Sequence, residues 1–221
     1  MTRETKTILI YSAPFATWIG MQTILPATAW SYALRSAATV AVGLFCWMRG
    51  PGVCGRVALR NVFAGFLCGV AVAVLWIVPE CSDFYRTWFC WPIGSFPSES
   101  AAPSPYDPSV CGWPLTIAKL VGSAFVIAPV EEVFFRSFLY RWLQRADFRS
   151  VPLSQFDLQA FAWTVFLFTL EHDRPLAAAA AGALYGLVAV RAGLAAAIVA
   201  HVATNLLLAL HVICSGAWRF W

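Results

Sequence analysis

The strongest candidates for a chemical role are an acidic pair and an arginine one helical turn later, Glu131, Glu132 and Arg136. They lie in a stretch that is otherwise apolar enough to cross a bilayer. An ionised carboxylate at the centre of a membrane-spanning helix costs roughly 2.5–3.5 kcal/mol, so charges there need partners, water or a chemical role. On a helix Arg136 shares a face with Glu132, whereas Glu131 projects about 100° away. We expect Arg136 to pair with Glu132 and leave Glu131 free as a general base; a purely structural ion pair is the alternative.

Two later apolar segments supply possible partners for the acidic pair. One carries Phe168 and His172, and the other carries His201 and Asn205 on one helical face. Imidazole and amide groups both donate hydrogen bonds, and donors that converge in a dry site stabilise a tetrahedral oxyanion. Hydrogen bonding between helices would also explain Asn205. The three segments together therefore predict an enzyme site within the membrane.

Composition sets the class of protein. The chain has 60% hydrophobic and 12% charged residues and a mean hydropathy of +0.70, far from the balance of a soluble domain. Its net charge of +4 is modest and gives no case for nucleic-acid binding. We predict an all-α, polytopic bundle of about seven transmembrane helices. The predicted apolar stretches are 7–25, 29–48, 57–79, 115–140, 157–173, 175–190 and 193–214.

Arg and Lys placement predicts the orientation. Arg49, Arg56 and Arg60 lie around the junction of the second and third stretches, and three more arginines follow the fourth, so both loops and the N-terminus should be cytoplasmic. We expect a single domain, 1–221, with the catalytic helices in 115–214 and an extracytoplasmic loop at 80–114.

The predicted outer loop contains three cysteines, Cys81, Cys90 and Cys111. A disulfide between two of them and three free thiols are equally compatible with the sequence. The chain has no CxxC or HExxH spacing, so the common zinc signatures are absent from the sequence.

The order and spacing of the three segments resemble the CPBP family of intramembrane proteases, which includes the CAAX prenyl endopeptidases and bacteriocin-processing proteins. The family pattern is EExxxR, FxxxH and HxxxN/D. This chain matches it with Glu131-Glu132-xxx-Arg136, Phe168-xxx-His172 and His201-xxx-Asn205. The surroundings of the first two motifs look like a bacterial branch found alongside exosortase systems.

The resemblance implies a role for each matched residue. Glu131 would activate water that His172 helps to hold, His201 and Asn205 would stabilise the oxyanion, and Glu132 and Arg136 would orient and charge-balance the site. Phe168 and Phe135 are predicted to contact the substrate.

The resemblance also bears on cofactors. An older view of the family makes the same residues ligands of a divalent metal such as zinc. We expect a metal-free mechanism and no cofactor, because Arg136 so close to the carboxylates opposes a cation.

The predicted activity is endopeptidase cleavage of a membrane-anchored protein or peptide, with processing of C-terminal sorting signals implied by the exosortase-type resemblance. The same resemblance implies the bacterial inner membrane, and the sequence leaves the oligomeric state open. A transporter or partner-binding protein that uses buried charges is the alternative. Ser123 is a second, weaker candidate nucleophile, since a serine in a spanning helix usually bonds its own backbone.

If all the helices are straight, Glu131 and His172 lie at different depths in the membrane and cannot share one site. With 80–114 outside, Glu131 falls past mid-span whereas His172 ends its helix near the outer face. A break or kink at Pro129, or helix boundaries displaced by several residues, would bring the two together.

Overall fold

The structure is a computed structural model that describes residues 3–49, 58–82 and 103–221. Within these ranges it contains helices and no strand. The long helices are α1 (Arg3–Ile24), α2 (Ala29–Arg49), α3 (Leu59–Ile77), α4 (Trp113–Gln144), α5 (Leu158–Leu170), α6 (Pro175–Ala192) and α7 (Leu194–Ser215). The all-α prediction is confirmed, and each predicted stretch corresponds to one helix.

Four of these helices, α3, α4, α6 and α7, are long and apolar enough to cross a membrane. Helix α5 is apolar but shorter. Their apolar surfaces make this a multi-pass membrane protein. Short helical turns complete the described parts of the chain, at Pro79–Cys81, Pro108–Cys111, Phe148–Ser150 and Trp218–Phe220.

Local sequence explains where the helices near the site begin and end. Helix α5 starts after Asp157, whose carboxylate accepts a hydrogen bond from the Ala160 amide at 2.8 Å. Helix α6 has Pro175 in its first turn, where the missing N–H costs nothing. Helices α6 and α7 are separated by Gly193, whose φ of +94° is readily available only to glycine. The chain can therefore reverse direction between them within one residue.

Helices α3 and α7 pack so closely that their backbones are in contact. A side chain at Gly65 or Gly69 would collide with the carbonyl oxygens of Ala196 and Ala200 respectively. Small residues at such a contact allow close packing of membrane helices, and the Thr204 hydroxyl adds a 3.0 Å hydrogen bond to the Gly69 carbonyl. This contact holds rigidly the turn of α7 that carries His201.

Helix α4 runs through Pro129 without a break, so of the alternatives considered for this residue a break does not occur. The helix instead widens to π geometry at Gly122–Ile127 and again at Val133–Leu139, with one α-helical segment, Ala128–Glu132, between them. Proline lacks an N–H and its ring collides with the carbonyl four residues earlier, and the wider turn before Pro129 relieves both problems. The acidic pair lies at the end of this segment.

The main core cluster surrounds the acidic pair. It is formed by Val72, Phe135, Phe168, Ala181, Tyr185 and Ala200, which come from α3, α4, α5, α6 and α7. Five helices thus converge on the region that holds the motif residues.

Some predictions fall outside the described residues. These include most of the loop at 80–114 and any disulfide that involves Cys90 or the side chain of Cys81. Cys111 carries a free thiol. The domain limits stay predictions.

Candidate active site

A cavity of about 410 Å³ opens among the helices beside the acidic pair. It is lined by side chains of all three motifs, namely Glu131, Phe168, His172, His201 and Asn205. The structure therefore brings Glu131 and His172 to one site, and the conflict over their depth disappears. The C-terminal end of α5 therefore lies beside the same cavity as the acidic segment of α4.

Glu132 and Arg136 form the predicted ion pair behind the cavity. Their closest atoms, Glu132 Oε2 and Arg136 Nε, are 3.3 Å apart, and the side chains are 0% and 2% exposed. Arg136 also donates to the Gly182 carbonyl at 3.1 Å and lies 4.6 Å from the Phe168 ring centroid. The guanidinium is thus held by a carboxylate, a carbonyl and an aromatic face, and it ties α4 to α5 and α6.

His201 lies between the two carboxylates. Its Nδ1 is 3.0 Å from Glu132 Oε1, and its Nε2 is 3.8 Å from Glu131 Oε2. An ionised carboxylate only accepts hydrogen bonds, so Nδ1 is the donor to Glu132 and Nε2 is directed toward Glu131. The paired glutamate therefore orients the histidine that contacts the other one.

Glu131 has the free carboxylate that the helical spacing predicts. The residue is 8% exposed, and its Oε2 has no hydrogen-bond partner within the described part of the chain. A buried acceptor without a partner is costly unless water or a ligand occupies the space beside it. The cavity provides that space.

Tyr185, which is not among the residues predicted from the sequence, packs against the face of the His201 ring. The two rings are stacked with centroids 4.7 Å apart, and the Tyr185 hydroxyl donates to Thr204 Oγ1 at 2.7 Å. Thr204 in turn donates to the Gly69 carbonyl. No local pattern identifies Tyr185 in the sequence, because it lies in a helix rich in alanine and glycine, a composition that indicates only close helix packing.

The His172 side chain is held by a hydrogen bond to the C-terminal end of α5, the helix that precedes it. Its Nδ1 is 2.8 Å from the Phe168 carbonyl oxygen, so Nδ1 carries the proton and Nε2 is left as an acceptor. Burial lowers the pKa of His172 to about 4, against a smaller opposing effect of that hydrogen bond. The imidazole is therefore neutral near pH 7, the form suited to accept a hydrogen bond from water.

Asn205 makes a contact that joins α7 to α4. Its Nδ2 donates to the Ser123 carbonyl at 2.8 Å, which leaves a second N–H on the same nitrogen. The Ser123 hydroxyl donates to the Leu120 carbonyl of its own helix at 3.0 Å. This is the usual bonding of a structural serine in a membrane helix.

The two phenylalanines predicted to contact substrate differ in position. Phe168 lines the cavity and packs 4.5 Å from the His172 ring. Phe135 is 2% exposed and lies in the core, edge-on to Phe168 at 5.3 Å, outside the set of residues that line the cavity. A contact between Phe135 and a bound substrate stays a prediction.

A further carboxyl group, Glu171, lines the cavity next to His172. Burial raises its pKa to about 8, and Arg136 opposes that change. Glu171 and Glu131 are close enough to interact electrostatically. In the sequence Glu171 is only one charge in a polar corner between two helices, so its burial was not predictable from that pattern.

A buried ion network closes the site beyond Glu171. Arg174 Nε is 2.6 Å from Glu80 Oε1, and its other nitrogens contact Asp173 Oδ2 at 2.8 Å and the Arg219 carbonyl at 2.7 Å. Arg174 and Glu80 are 3% and 1% exposed. The network therefore links the end of α3, the corner that carries His172 and the turn after α7.

No group of three His, Cys, Asp or Glu side chains among the described residues is arranged to hold a metal ion. The prediction of a metal-free site stays a prediction.

Replacing Glu171 with glutamine should flatten the pH dependence of stability. Below the ordinary pKa of 4.5 the carboxyl is protonated in both the folded and the unfolded protein, so its contribution is complete. As the pH rises from there to about 8 only the unfolded state ionises, and stability is lost, by on the order of a few kcal/mol. The check is the unfolding midpoint in detergent across this interval, with the exposed Asp147→Asn as control. An equal slope in wild type and Glu171→Gln would contradict the assignment.

Taken together, the helices place residues of all three motifs around one cavity in a multi-pass membrane protein. Residues 113–207 match the family model described as type II CAAX prenyl endopeptidase Rce1-like. The match covers all three motifs and confirms the resemblance to the CPBP family in this part of the chain, and it supports a role as an intramembrane CAAX endopeptidase, that is, a protease. The narrower exosortase-associated branch receives no support from it. No curated protein and no solved structure matches the chain.

Proposed function

We propose that the protein is a glutamic-type intramembrane endopeptidase that hydrolyses a peptide bond in a membrane-anchored protein with water activated by Glu131. The observation that carries this proposal is the division of the acidic pair. Glu132 is fully buried behind the cavity, with Arg136 Nε at 3.3 Å and His201 Nδ1 at 3.0 Å, whereas the Glu131 carboxylate lines the cavity and has His201 Nε2 only at 3.8 Å. A general base needs a free lone pair at the place where its proton donor binds.

The proposed reaction begins with a water molecule between Glu131 and His172. The water oxygen attacks the carbonyl carbon while one of its protons passes to the Glu131 carboxylate, and His172 Nε2 accepts a hydrogen bond from the other. The carbonyl oxygen becomes an oxyanion in the tetrahedral intermediate. Glu131 then returns the proton to the amide nitrogen as the C–N bond breaks, which releases an acid and an amine.

The oxyanion would be stabilised from α7. Asn205 retains one N–H after its bond to Ser123, and His201 can donate through Nε2 when its ring is protonated. Glu132 and Tyr185 hold the ring, so this donor is oriented before the substrate binds.

The proposed substrates carry a C-terminal sorting signal with an apolar helix, and the proposed location is the bacterial inner membrane with a cytoplasmic N-terminus. Support comes from the sequence around the first two motifs and from the distribution of Arg and Lys between helices. The position of the cavity among apolar helices agrees with a membrane-embedded substrate.

The test is processing of co-expressed proteins with C-terminal apolar helices at equal membrane abundance of each variant. Removing an oxyanion donor costs roughly 10²–10³-fold in rate, so His201→Ala and Asn205→Ala should lose the processed band. His172→Ala should lose it as well. Ser123→Ala is the matched control and should process normally, because the Ser123 hydroxyl donates to the Leu120 carbonyl of its own helix and has no role in the proposed reaction. Proton flux without cleavage would contradict the proposal and favour a transporter.

A further inference from the structure

Two cations lie at the other end of the same cavity. Arg35 on α2 and Lys119 on α4 both line it, together with Glu131 and His201. Lys119 lies 12 positions before Glu131 in the sequence, so the rise of an α-helix places the two about 18 Å apart along α4. The cavity therefore joins the catalytic carboxylate to a basic region nearer the start of α4.

The two cations are held by aromatic rings. The Lys119 ammonium lies 4.1 Å from the Tyr32 ring centroid and 4.6 Å from that of Tyr106, and the Arg35 guanidinium lies 4.1 Å from the Trp18 ring and 4.9 Å from Tyr32. Tyr32 is thus shared by both charges. Cation–π contacts position a charge but do not neutralise it.

Neither cation has an acidic partner within 4 Å among the residues that the structure describes. Arg35 donates to the neutral Gln22 at 3.0 Å, and its Nε is buried without a hydrogen-bond partner. Asp173 is near enough to Lys119 to interact electrostatically, but its carboxylate is paired with Arg174 at 2.8 Å.

Two half-buried positive charges that share one ring repel each other, and an apolar helix bundle screens that repulsion poorly. A bound anion would remove the repulsion and supply the acceptors that Arg35 and Lys119 lack. An oxyanion with at least two free oxygens suits the site, because a guanidinium and an ammonium can each donate to one of its oxygens.

We propose that Arg35 and Lys119 form an oxyanion-binding subsite of the cavity, whose ligand is a carboxylate or phosphate group carried by a membrane-embedded molecule. The source that best fits the shared cavity is the C-terminal carboxylate of the substrate, which would fix the distance between the chain end and the bond at Glu131. The phosphate of a phospholipid has the same chemistry. The choice of the peptide source rests on the proposed function; the anion subsite itself does not.

The test measures binding separately from cleavage. An apolar peptide is synthesised with a free C-terminal carboxylate and with a carboxamide, and both are titrated into the Glu131→Gln protein in detergent. We expect the free acid to bind about ten- to a hundredfold more tightly than the amide. Arg35→Gln and Lys119→Gln should remove that difference, whereas the exposed Arg145→Gln control should retain it.

Phosphorus content of the purified protein distinguishes the phospholipid source. If both peptide forms bind equally, but bound phosphorus falls in Arg35→Gln and Lys119→Gln and not in Arg145→Gln, the subsite is supported with a phospholipid as its ligand. If neither the peptide preference nor the phosphorus content depends on these residues, the subsite is refuted. The binding measurement uses the Glu131→Gln protein and so does not depend on cleavage. A result that concerns cleavage alone therefore tests the proposed function and not the subsite.

Discussion

Glu131→Gln is expected to abolish hydrolysis, with a fall in rate of roughly 10²–10⁴-fold, while the helix bundle still assembles. Glutamine has the same shape but cannot take a proton from water. The Glu131 carboxylate has no strong partner in the described part of the chain, the nearest basic atom being His201 Nε2 at 3.8 Å. Loss of its charge should therefore cost little stability. The measurement combines the cleavage rate with the unfolding midpoint of the same preparation.

Glu132→Gln is the matched comparison, since it makes the same replacement of a carboxyl by a carboxamide at the neighbouring residue. This substitution leaves the buried Arg136 without its counter-charge, and breaking a buried pair from one side costs about 3–5 kcal/mol. The two variants should therefore separate, with Glu131→Gln stable and inactive and Glu132→Gln unstable. Full processing by the Glu131→Gln protein would remove the proposed base from the mechanism.

Arg174→Met is expected to destabilise the protein by about 3–5 kcal/mol. The change leaves the Glu80 carboxylate, which is 1% exposed, without its closest cation and deprives the Arg219 carbonyl of its donor. Arg174 is two residues from His172, so the corner that carries this histidine should also lose its fixed position. The unfolding midpoint in detergent measures the first effect, and the cleavage rate at low temperature measures the second.

A double-mutant cycle tests whether the loss comes from the buried charge. Glu80→Met combined with Arg174→Met removes both charges and should recover part of the stability that Arg174→Met loses. The exposed Arg149→Met should change stability by no more than about 0.5 kcal/mol. An Arg174→Met protein as stable as wild type would show that the network contributes nothing.

The sequence predicted the helices and the pairing of Glu132 with Arg136, because both depend on local spacing. Apolar runs of sufficient length must form helices in a bilayer, where every backbone group has to be satisfied within its own segment. The i, i+4 relation likewise predicts that Glu132, and not Glu131, pairs with Arg136, as the structure shows.

The sequence could not decide what happens at Pro129, because the cost of a proline depends on the turn that precedes it. A regular helix would kink there, whereas the π-helical stretch Gly122–Ile127 accommodates the ring and lets α4 continue. That same stretch changes the direction in which the following side chains point, and no residue-level propensity predicts it.

Composition and spacing alone determined the all-α membrane class, the approximate limits of the seven helices and the motif residues, since each follows from properties of one segment. The tertiary structure alone decided which partners those residues meet. Tyr185 stacks on His201, Glu80 pairs with Arg174 across 94 positions, and Glu171 lines the cavity beside His172. Such contacts join residues far apart in the chain, so they depend on how helices pack and on which side chains that packing removes from water.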